Sequence, residues 1–311
     1  MTAFKEDQIR NHGPSHITDL IIITIKCLMP SEEELGVNID YRRYEEEIKL
    51  WEYYRRGENN SLINILGDID PHIYWNGRDD TAILRMLPIV LANKDYLILR
   101  EEAIKNVLFS TGNIETIMEA LLVAKLLYLI LVDTEDICHH LKQEIINLSQ
   151  VDFMDRYQNR FRAPIGAYDG QFSIDFERHK IHALNILNSS RSQWFESLQD
   201  CMKVYLDNLS GDSIIGSSLE SYLTGQNIGE TKLANYYAGL AIYICNLRRG
   251  RIDPNALKID RYDLPDVFQF DEGDVFFHSL LNKSKVIKKE ITSEGLIIYL
   301  STKLGIYKFI K

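Results

Sequence analysis

Apolar residues recur at helical spacing along most of the chain, and this pattern predicts a series of amphipathic helices. The segment 113–131 is apolar over most of its circumference, so we place it at the centre of the fold. The isoleucine-rich segment 18–29 ends at Pro30 and fits either a short buried helix or a strand. The predicted helices cover residues 18–29, 41–56, 81–91, 97–109, 113–131, 134–149, 174–187, 194–209, 217–223 and 230–248.

The C-terminal segment has a different pattern. Residues 285–292 and 296–301 are rich in β-branched side chains and flank a turn, and residues 304–310 predict a third strand. We therefore predict an all-α protein, a compact multi-helix bundle over residues 1–282, with a short C-terminal β-hairpin or meander over residues 283–311. This last segment is also basic, and its lysines either protect the edge of a sheet or dock a partner.

Composition excludes several classes of protein. Of the 311 residues 45% are apolar, which is enough to build a sizeable core and excludes disorder for the bulk of the chain. The 35 basic and 45 acidic residues give a formal charge of −10, which argues against binding to nucleic acid or to an anionic membrane. The most apolar window, 120–132, is too short to cross a bilayer, and the N-terminus lacks a signal-peptide core. These features predict a cytoplasmic protein.

The cysteines and the common nucleotide motifs suggest no chemistry. The four cysteines are too widely spaced for a C-x-x-C site, and their apolar neighbours predict buried free thiols. They are Cys27, Cys138, Cys201 and Cys245. The chain contains no P-loop motif, no G-x-G-x-x-G after a strand and no G-x-S-x-G elbow.

Three local groups of polar residues have both a chemical and a structural interpretation. The Asp-Asp-Thr run at 79–81 could bind a hard cation, but its position before a helix favours capping. Asp175, His179 and His182 share one helix face, where an Asp–His pair is a simpler explanation than a metal site. The Arg-Arg-Gly-Arg run at 248–251 complements a helix dipole or, alternatively, clamps a pyrophosphate.

Three further segments occur in a recognisable order. His-Ile-Thr-Asp-Leu-Ile at 16–21 is similar to a Thr-Asp-Asp-Thr motif that opens a buried helix. The stretch 75–89 is similar to an Asn-Gly-x-x-x-Met-Arg-x-x-Pro motif, and Asn-Ile-Gly-Glu-Thr-Lys-Leu at 227–233 is similar to Gly-Gly-Asp-x-Asp-Thr. Together they resemble the ADP-ribosylglycohydrolase family, which also has a Tyr and a Trp on one helix, as Tyr44 and Trp51 stand here.

The resemblance implies a fold, a reaction and a set of residues. It implies a compact helical bundle that holds two divalent cations, here Mg²⁺, and hydrolyses an N- or O-glycosidic bond to ADP-ribose. It implies Asp19 and Glu230 as catalytic residues and Asp19, Asp80 and Glu230 as metal ligands. The ligand-binding residues that it implies are Thr18, Asn76, Gly77, Asp79, Asp80, Arg85, Gly229, Thr231 and Lys232.

The chain also departs from the family pattern at the metal motifs. Leu20 replaces the second Asp of the first motif, and Lys232 places an ammonium at a carboxylate position of the third. Because an ammonium cannot activate water as a metal does, we expect weak or lost hydrolase activity, a pseudoenzyme with ADP-ribose or an ADP-ribosylated substrate as ligand. The alternative is a non-enzymatic immunity or regulatory protein whose acidic surface binds a basic protein partner.

Overall fold

The computed structural model describes residues 1–32, 35–188, 192–225, 232–293, 295–303 and 305–311, without the side chains of residues 232–235. The described chain is mostly helical and ends in a short antiparallel sheet, which confirms the prediction at that level. The α-helices are α1 Thr2–Arg10, α2 His16–Cys27, α3 Tyr41–Tyr54, α4 Asn60–Asn64, α5 Pro71–Asn76, α6 Ala82–Ala92, α7 Tyr96–Ser110, α8 Ile114–Leu131, α9 Ile137–Asn147, α10 Gln150–Tyr157, α11 Phe172–Leu187, α12 Glu196–Asp207, α13 Ile214–Leu223 and α14 Lys232–Arg248. The strands are β1 Leu28–Pro30, β2 Val37–Ile39, β3 Val275–His278, β4 Asn282–Thr292, β5 Gly295–Thr302 and β6 Gly305–Ile310.

Helix α8 lies at the centre of the helical part, as its apolar circumference predicts. It contacts α6, α7, α9, α11 and α12. Its buried Glu119 accepts hydrogen bonds from the backbone N–H groups of Ser197 at 2.7 Å and Leu198 at 3.2 Å, in the first turn of α12. A carboxylate at a helix N-terminus satisfies donors that have no partner within the helix. The polar side chain on this otherwise apolar helix therefore fixes a neighbouring helix.

The isoleucine-rich segment forms helix α2 rather than a strand. The Ser15 hydroxyl caps this helix by accepting from the Ile17 N–H at 3.1 Å, and Asp19 lies in the first turn, where a carboxylate complements the dipole. The chain then continues into the two-stranded ladder of β1 and β2. The Asn93 amide holds β2 through the N–H and carbonyl of Val37, at 2.8 and 3.0 Å. Strands of three residues show no alternation, so the sequence pattern did not predict this ladder.

The start of α9 differs from the prediction. The predicted helix began at residue 134, but α9 begins at Ile137 and is capped by Asp136, which accepts from the His139 N–H at 3.2 Å. Asp is a favourable cap, and the predicted range began too early. Helices α1, α4, α5 and α10 were not predicted, because short helices with few apolar positions give a weak periodic signal.

Strands β3 to β6 form one antiparallel sheet in chain order. The predicted hairpin is present as β4 and β5, and the predicted third strand is present as β6. The preceding strand β3 lies on the helical side of the predicted boundary at residue 282. The buried face of the sheet packs on α3, where Tyr54 meets the ring of Phe309 edge-on at 5.4 Å between centroids.

The sheet also contains a buried histidine. His278 is 3% exposed, and its Nδ1 accepts from the Leu280 N–H at 3.1 Å, which identifies a neutral ring. Burial lowers the pKa of His278 to about 4. Among the lysines of this segment, Lys289 pairs with Asp271 at 2.9 Å and Lys311 with Asp266 at 3.0 Å. These lysines therefore tie the sheet to the acidic segment that precedes it.

Two further expectations can be compared with the structure. Cys27 and Cys201 are buried, as predicted, but Cys138 is half-buried and Cys245 is exposed. The prediction was wrong for Cys245, because that position lies on the outer side of α14 despite its apolar neighbours. No helix in the described ranges is long and apolar enough to span a bilayer.

Candidate functional site

The first turn of α2 is fastened to α1 by a single buried carboxylate. Asp7 accepts from the Ser15 N–H at 2.9 Å, from the Ser15 hydroxyl at 2.5 Å and from the Thr18 hydroxyl at 2.5 Å. Thr18 is 1% exposed. Its hydroxyl, a predicted ligand-binding group, is therefore used within the fold and fixes the turn from which Asp19 projects.

Asp19, the predicted metal ligand and catalytic residue, is paired with a guanidinium. Arg56 lies just beyond the end of α3, and its Nε donates to Oδ1 of Asp19 at 3.0 Å, while its Nη2 lies closer still to the same oxygen. Trp51 adds a long hydrogen bond from Nε1 to Oδ2 at 3.4 Å. The Asp19 side chain is 5% exposed and that of Arg56 is 44% exposed. The carboxylate is thus neutralised from one side by a cation that the protein itself supplies.

Two tyrosines, Tyr237 and Tyr307, lie near enough to Arg56 to influence its pKa. Burial raises the pKa values of both phenols, which keeps them neutral. Tyr237 accepts from the side-chain amide of Gln8 at 2.8 Å. The environment of the guanidinium therefore combines aromatic rings with neutral hydroxyl groups.

Asp80 lies on the other side of the α2 N-terminus. Its Oδ2 is 3.7 Å from Nε2 of His16, and its Oδ1 accepts from the Asn59 amide at 3.0 Å. The nearby Asp80 carboxylate raises the pKa of His16 despite partial burial. The Asp80 side chain is 67% exposed, so it is a solvent-facing carboxylate. Gly57 (φ +145°) leaves room for the His16 ring, since a Cβ at residue 57 would lie 2.5 Å from Nδ1 of His16.

Asp79 and Arg85 form a buried ion pair that has a structural role. Nη1 of Arg85 lies 2.7 Å from Oδ2 of Asp79, and both side chains are 0% exposed. Arg85 also donates to Asn106 at 3.2 Å and Ser110 at 2.9 Å, while Asp79 accepts from Asn59 at 2.8 Å. Burial favours the neutral acid, but the charge of Arg85 and the surrounding hydrogen bonds hold the pKa of Asp79 at about 2.

Asn76 and Gly77 lie at the end of α5 and join it to the start of α8. The Gly77 carbonyl accepts from the Thr111 hydroxyl at 2.8 Å, and the Asn76 carbonyl accepts from the Asn113 amide at 3.3 Å. The adjacent Gly112 packs against an aromatic ring, because a Cβ there would lie 2.5 Å from Trp75. This close packing explains why residue 112 is a glycine.

The structure thus brings together only part of the predicted site. Asp19 and Asp80 lie on two sides of His16, whose titration responds to the charges of both. The predicted residues Gly229, Glu230 and Thr231, and the side chain of Lys232, lie outside the described residues. Within the described ranges, no group of three or more His, Cys, Asp or Glu residues could hold a metal ion. As it stands, Asp19 does not fit a divalent cation, because Arg56 occupies the coordinating oxygens.

The remaining polar groups have structural roles, although not with the partners that the sequence predicted. Nδ1 of His179 lies 2.7 Å from the backbone carbonyl of Asp175, and the ring of His182 stacks on Trp194. Arg248 donates through Nη1 to carbonyl groups at the end of α6. Arg56 was not among the residues predicted from the sequence. The Arg-Arg-Gly run at 55–57 was the available signal, since it places two cations at the turn that ends a predicted helix.

Comparison of the chain with protein-family models, with curated proteins and with solved structures gives no match in any of the three. The functional argument therefore depends on the residues of this chain.

Proposed function

We propose that this protein is ADP-ribosylglycohydrolase-like and binds ADP-ribose, or a ligand with the same pyrophosphate and ribose groups, without metal-dependent turnover. The observation that carries the proposal is the contact between Arg56 and Asp19. The carboxylate of Asp19 stands at the position implied by the resemblance. In our proposal the guanidinium of Arg56 takes the place of the metal ion beside it. A guanidinium only donates hydrogen bonds and offers no open coordination position for water.

The same arrangement supports ligand binding. The half-exposed Arg56 presents a planar set of donors, which suits a phosphate oxygen pair. His16 lies on the same turn, and its raised pKa favours the protonated ring more than in an ordinary histidine. The exposed carboxylate of Asp80 can accept from ribose hydroxyls. Cation, carboxylate and tyrosine rings thus stand within one region around the start of α2.

Isothermal titration with ADP-ribose, with and without Mg²⁺, tests the proposal. We expect binding that is independent of Mg²⁺ and that is weakened at least about tenfold by Arg56→Gln, the equivalent of one charged hydrogen bond. Arg249→Gln, which removes an exposed arginine from another part of the surface, is the matched control. Chromatographic assay of ADP-ribose release from an ADP-ribosylated peptide should show no turnover. Absence of binding, or release that requires Mg²⁺, would contradict the proposal.

The charge distribution favours a second candidate, a non-enzymatic protein that binds a basic partner. Residues 1–282 carry 28 basic and 43 acidic side chains, a net charge of −15, whereas the C-terminal segment is basic. Such segregated charge steers a partner of opposite sign. This candidate predicts a complex with a basic protein that dissociates as the salt concentration rises. A complex that survives 1 M salt unchanged, where the Debye length is about 3 Å, would count against it.

A further inference from the structure

An apolar cavity lies beside the residues around Asp19 and shares Tyr237 with them. It has a volume of about 280 Å³ and lies among α1, α2, α6, α8 and α14. The buried side chains of Phe4, Ile21 and Ile25 form its floor. Leu91, which is 40% exposed, lies at its mouth together with the half-buried Leu240. The cavity thus runs from the core to the surface.

The two ends of the cavity differ chemically. At one end the ring of Tyr237 stacks on Phe4 at 4.3 Å between centroids, which makes an aromatic wall. At the other end is Arg248, whose Nη1 donates to the carbonyls of Val90 and Leu91. Nε and Nη2 of Arg248 make no hydrogen bond or ion pair with any of the residues described. The guanidinium is therefore held in place by one nitrogen and keeps donors for a further acceptor.

This combination selects one kind of occupant. Water gains few hydrogen bonds in an apolar cavity, whereas an engineered cavity of about 150 Å³ lined by aliphatic and aromatic side chains takes up benzene. A larger cavity with a cation at its mouth suits an aliphatic tail with an anion at one end. The partly satisfied guanidinium of Arg248 matches a carboxylate or a phosphate monoester.

We propose that this cavity binds a free single-chain amphiphile, with its aliphatic tail against Ile21 and Ile25 and its anionic head group at Nε and Nη2 of Arg248. The volume accommodates one chain, which favours a free amphiphile over an acyl chain that remains in a lipid bilayer. The cavity lining does not include Asp19 or Arg56, although it shares Tyr237 with their surroundings. This proposal and the proposed binding of ADP-ribose are tested with different ligands and different variants.

Calorimetric titration with saturated carboxylates of six, eight, ten and twelve carbons tests the proposal below their micelle concentrations. We expect affinity to rise with chain length until the cavity is filled. Decanol should bind at least about tenfold more weakly than decanoate, because it lacks the charge that Arg248 recognises. Arg248→Lys should retain part of this preference for the anion, and Arg248→Gln should lose it.

Cavity-filling variants provide the control for position. Ala241→Phe places a ring in the cavity and should weaken decanoate binding at least about tenfold. Ile242→Phe makes the same kind of change at the next residue, which is 61% exposed and outside the cavity lining, and should leave binding unchanged. Should Ala241→Phe fail to fold, the rate of maleimide modification of Cys245 gives a second measurement, since decanoate in the cavity should slow it.

Several outcomes would overturn the proposal. These are the absence of decanoate binding, equal binding by the alcohol and the carboxylate, or an equal effect of Ala241→Phe and Ile242→Phe. If the protein bound vesicles of anionic phospholipid but not free decanoate, the cavity would be a membrane-binding site instead. A dimer in light scattering that Ala241→Phe abolishes and decanoate leaves intact would assign the cavity to a second copy of the chain.

Discussion

Replacing Asp79 by asparagine should destabilise the fold strongly, because it leaves the charge of Arg85 buried without its counter-ion. The two side chains are 0% exposed, and Nη1 of Arg85 lies 2.7 Å from Oδ2 of Asp79. Asparagine has nearly the same shape as aspartate. It can still accept the hydrogen bond that the Thr81 N–H donates to Asp79 at 3.0 Å. The substitution therefore isolates the loss of charge.

Two estimates define the expected magnitude. The pKa of Asp79 falls from 3.8 to about 2 on folding, and at 1.36 kcal/mol per pKa unit this corresponds to about 2 kcal/mol of stability at neutral pH. Removal of one partner from a buried ion pair costs about 3–5 kcal/mol in other proteins. We expect about 3 kcal/mol for Asp79→Asn, since the remaining amide and hydroxyl partners of Arg85 retain part of its solvation.

The dependence on pH has a definite sign. Because the folded-state pKa of Asp79 is depressed, its contribution is fully present above about pH 4 and is lost as the pH falls toward 2. The wild-type protein should therefore lose stability over this range, and the Asp79→Asn protein should lose less.

Urea denaturation followed by circular dichroism at several pH values measures both effects. Asp95→Asn is the matched control, since Asp95 is an exposed N-cap of α7 and asparagine caps a helix equally well. A loss below 1 kcal/mol for Asp79→Asn, or equal losses for the two variants, would refute the assignment of Asp79 and Arg85 as a stabilising ion pair.

Three further predictions concern other positions. Gly57→Ala should destabilise the protein by at least about 1 kcal/mol in thermal denaturation, because φ is +145° and the new Cβ would meet His16; an unchanged melting temperature would contradict this. The pKa of His278 is lowered to about 4. Its neutral ring therefore contributes stability that should be lost as the pH falls from 6.5 toward 4. In NMR, the ring resonances of His278 should not titrate above pH 5. Maleimide should modify the exposed Cys245 rapidly. It should modify the buried Cys201, whose thiol pKa is raised by burial, only upon unfolding. Equal rates for the two thiols in the native state would contradict this difference in exposure.

The fold was predictable where a long periodic segment decides the structure. The apolar circumference of residues 113–131 identified the central helix, and the β-branched C-terminal segments identified the hairpin. The ladder of β1 and β2 was not predictable, because Asn93 supplies its support from a distant part of the chain. Short elements depend on such tertiary contacts more than on their own residues.

The candidate site was predictable only in part, because a motif identifies one side of a contact. The resemblance selected Asp19, but its partner Arg56 lies 37 residues further along and reaches it only because α3 ends beside α2. Likewise the run at 79–81 predicted capping residues, whereas Asp79 chiefly pairs with Arg85 in the first turn of α6. Charge pairing of this kind is set by the packing of helices, which periodicity alone does not specify.

The contact between Tyr54 and Phe309 has a consequence during synthesis of the chain. The outer face of α3 is complete once Tyr54 has left the ribosome, but the strand that covers it follows roughly 250 residues later. At about 5–20 residues per second this delay is roughly 13–50 s. Throughout that time the nascent chain exposes an aromatic surface that the mature protein conceals, and this exposure is an aggregation hazard of the unfinished chain alone.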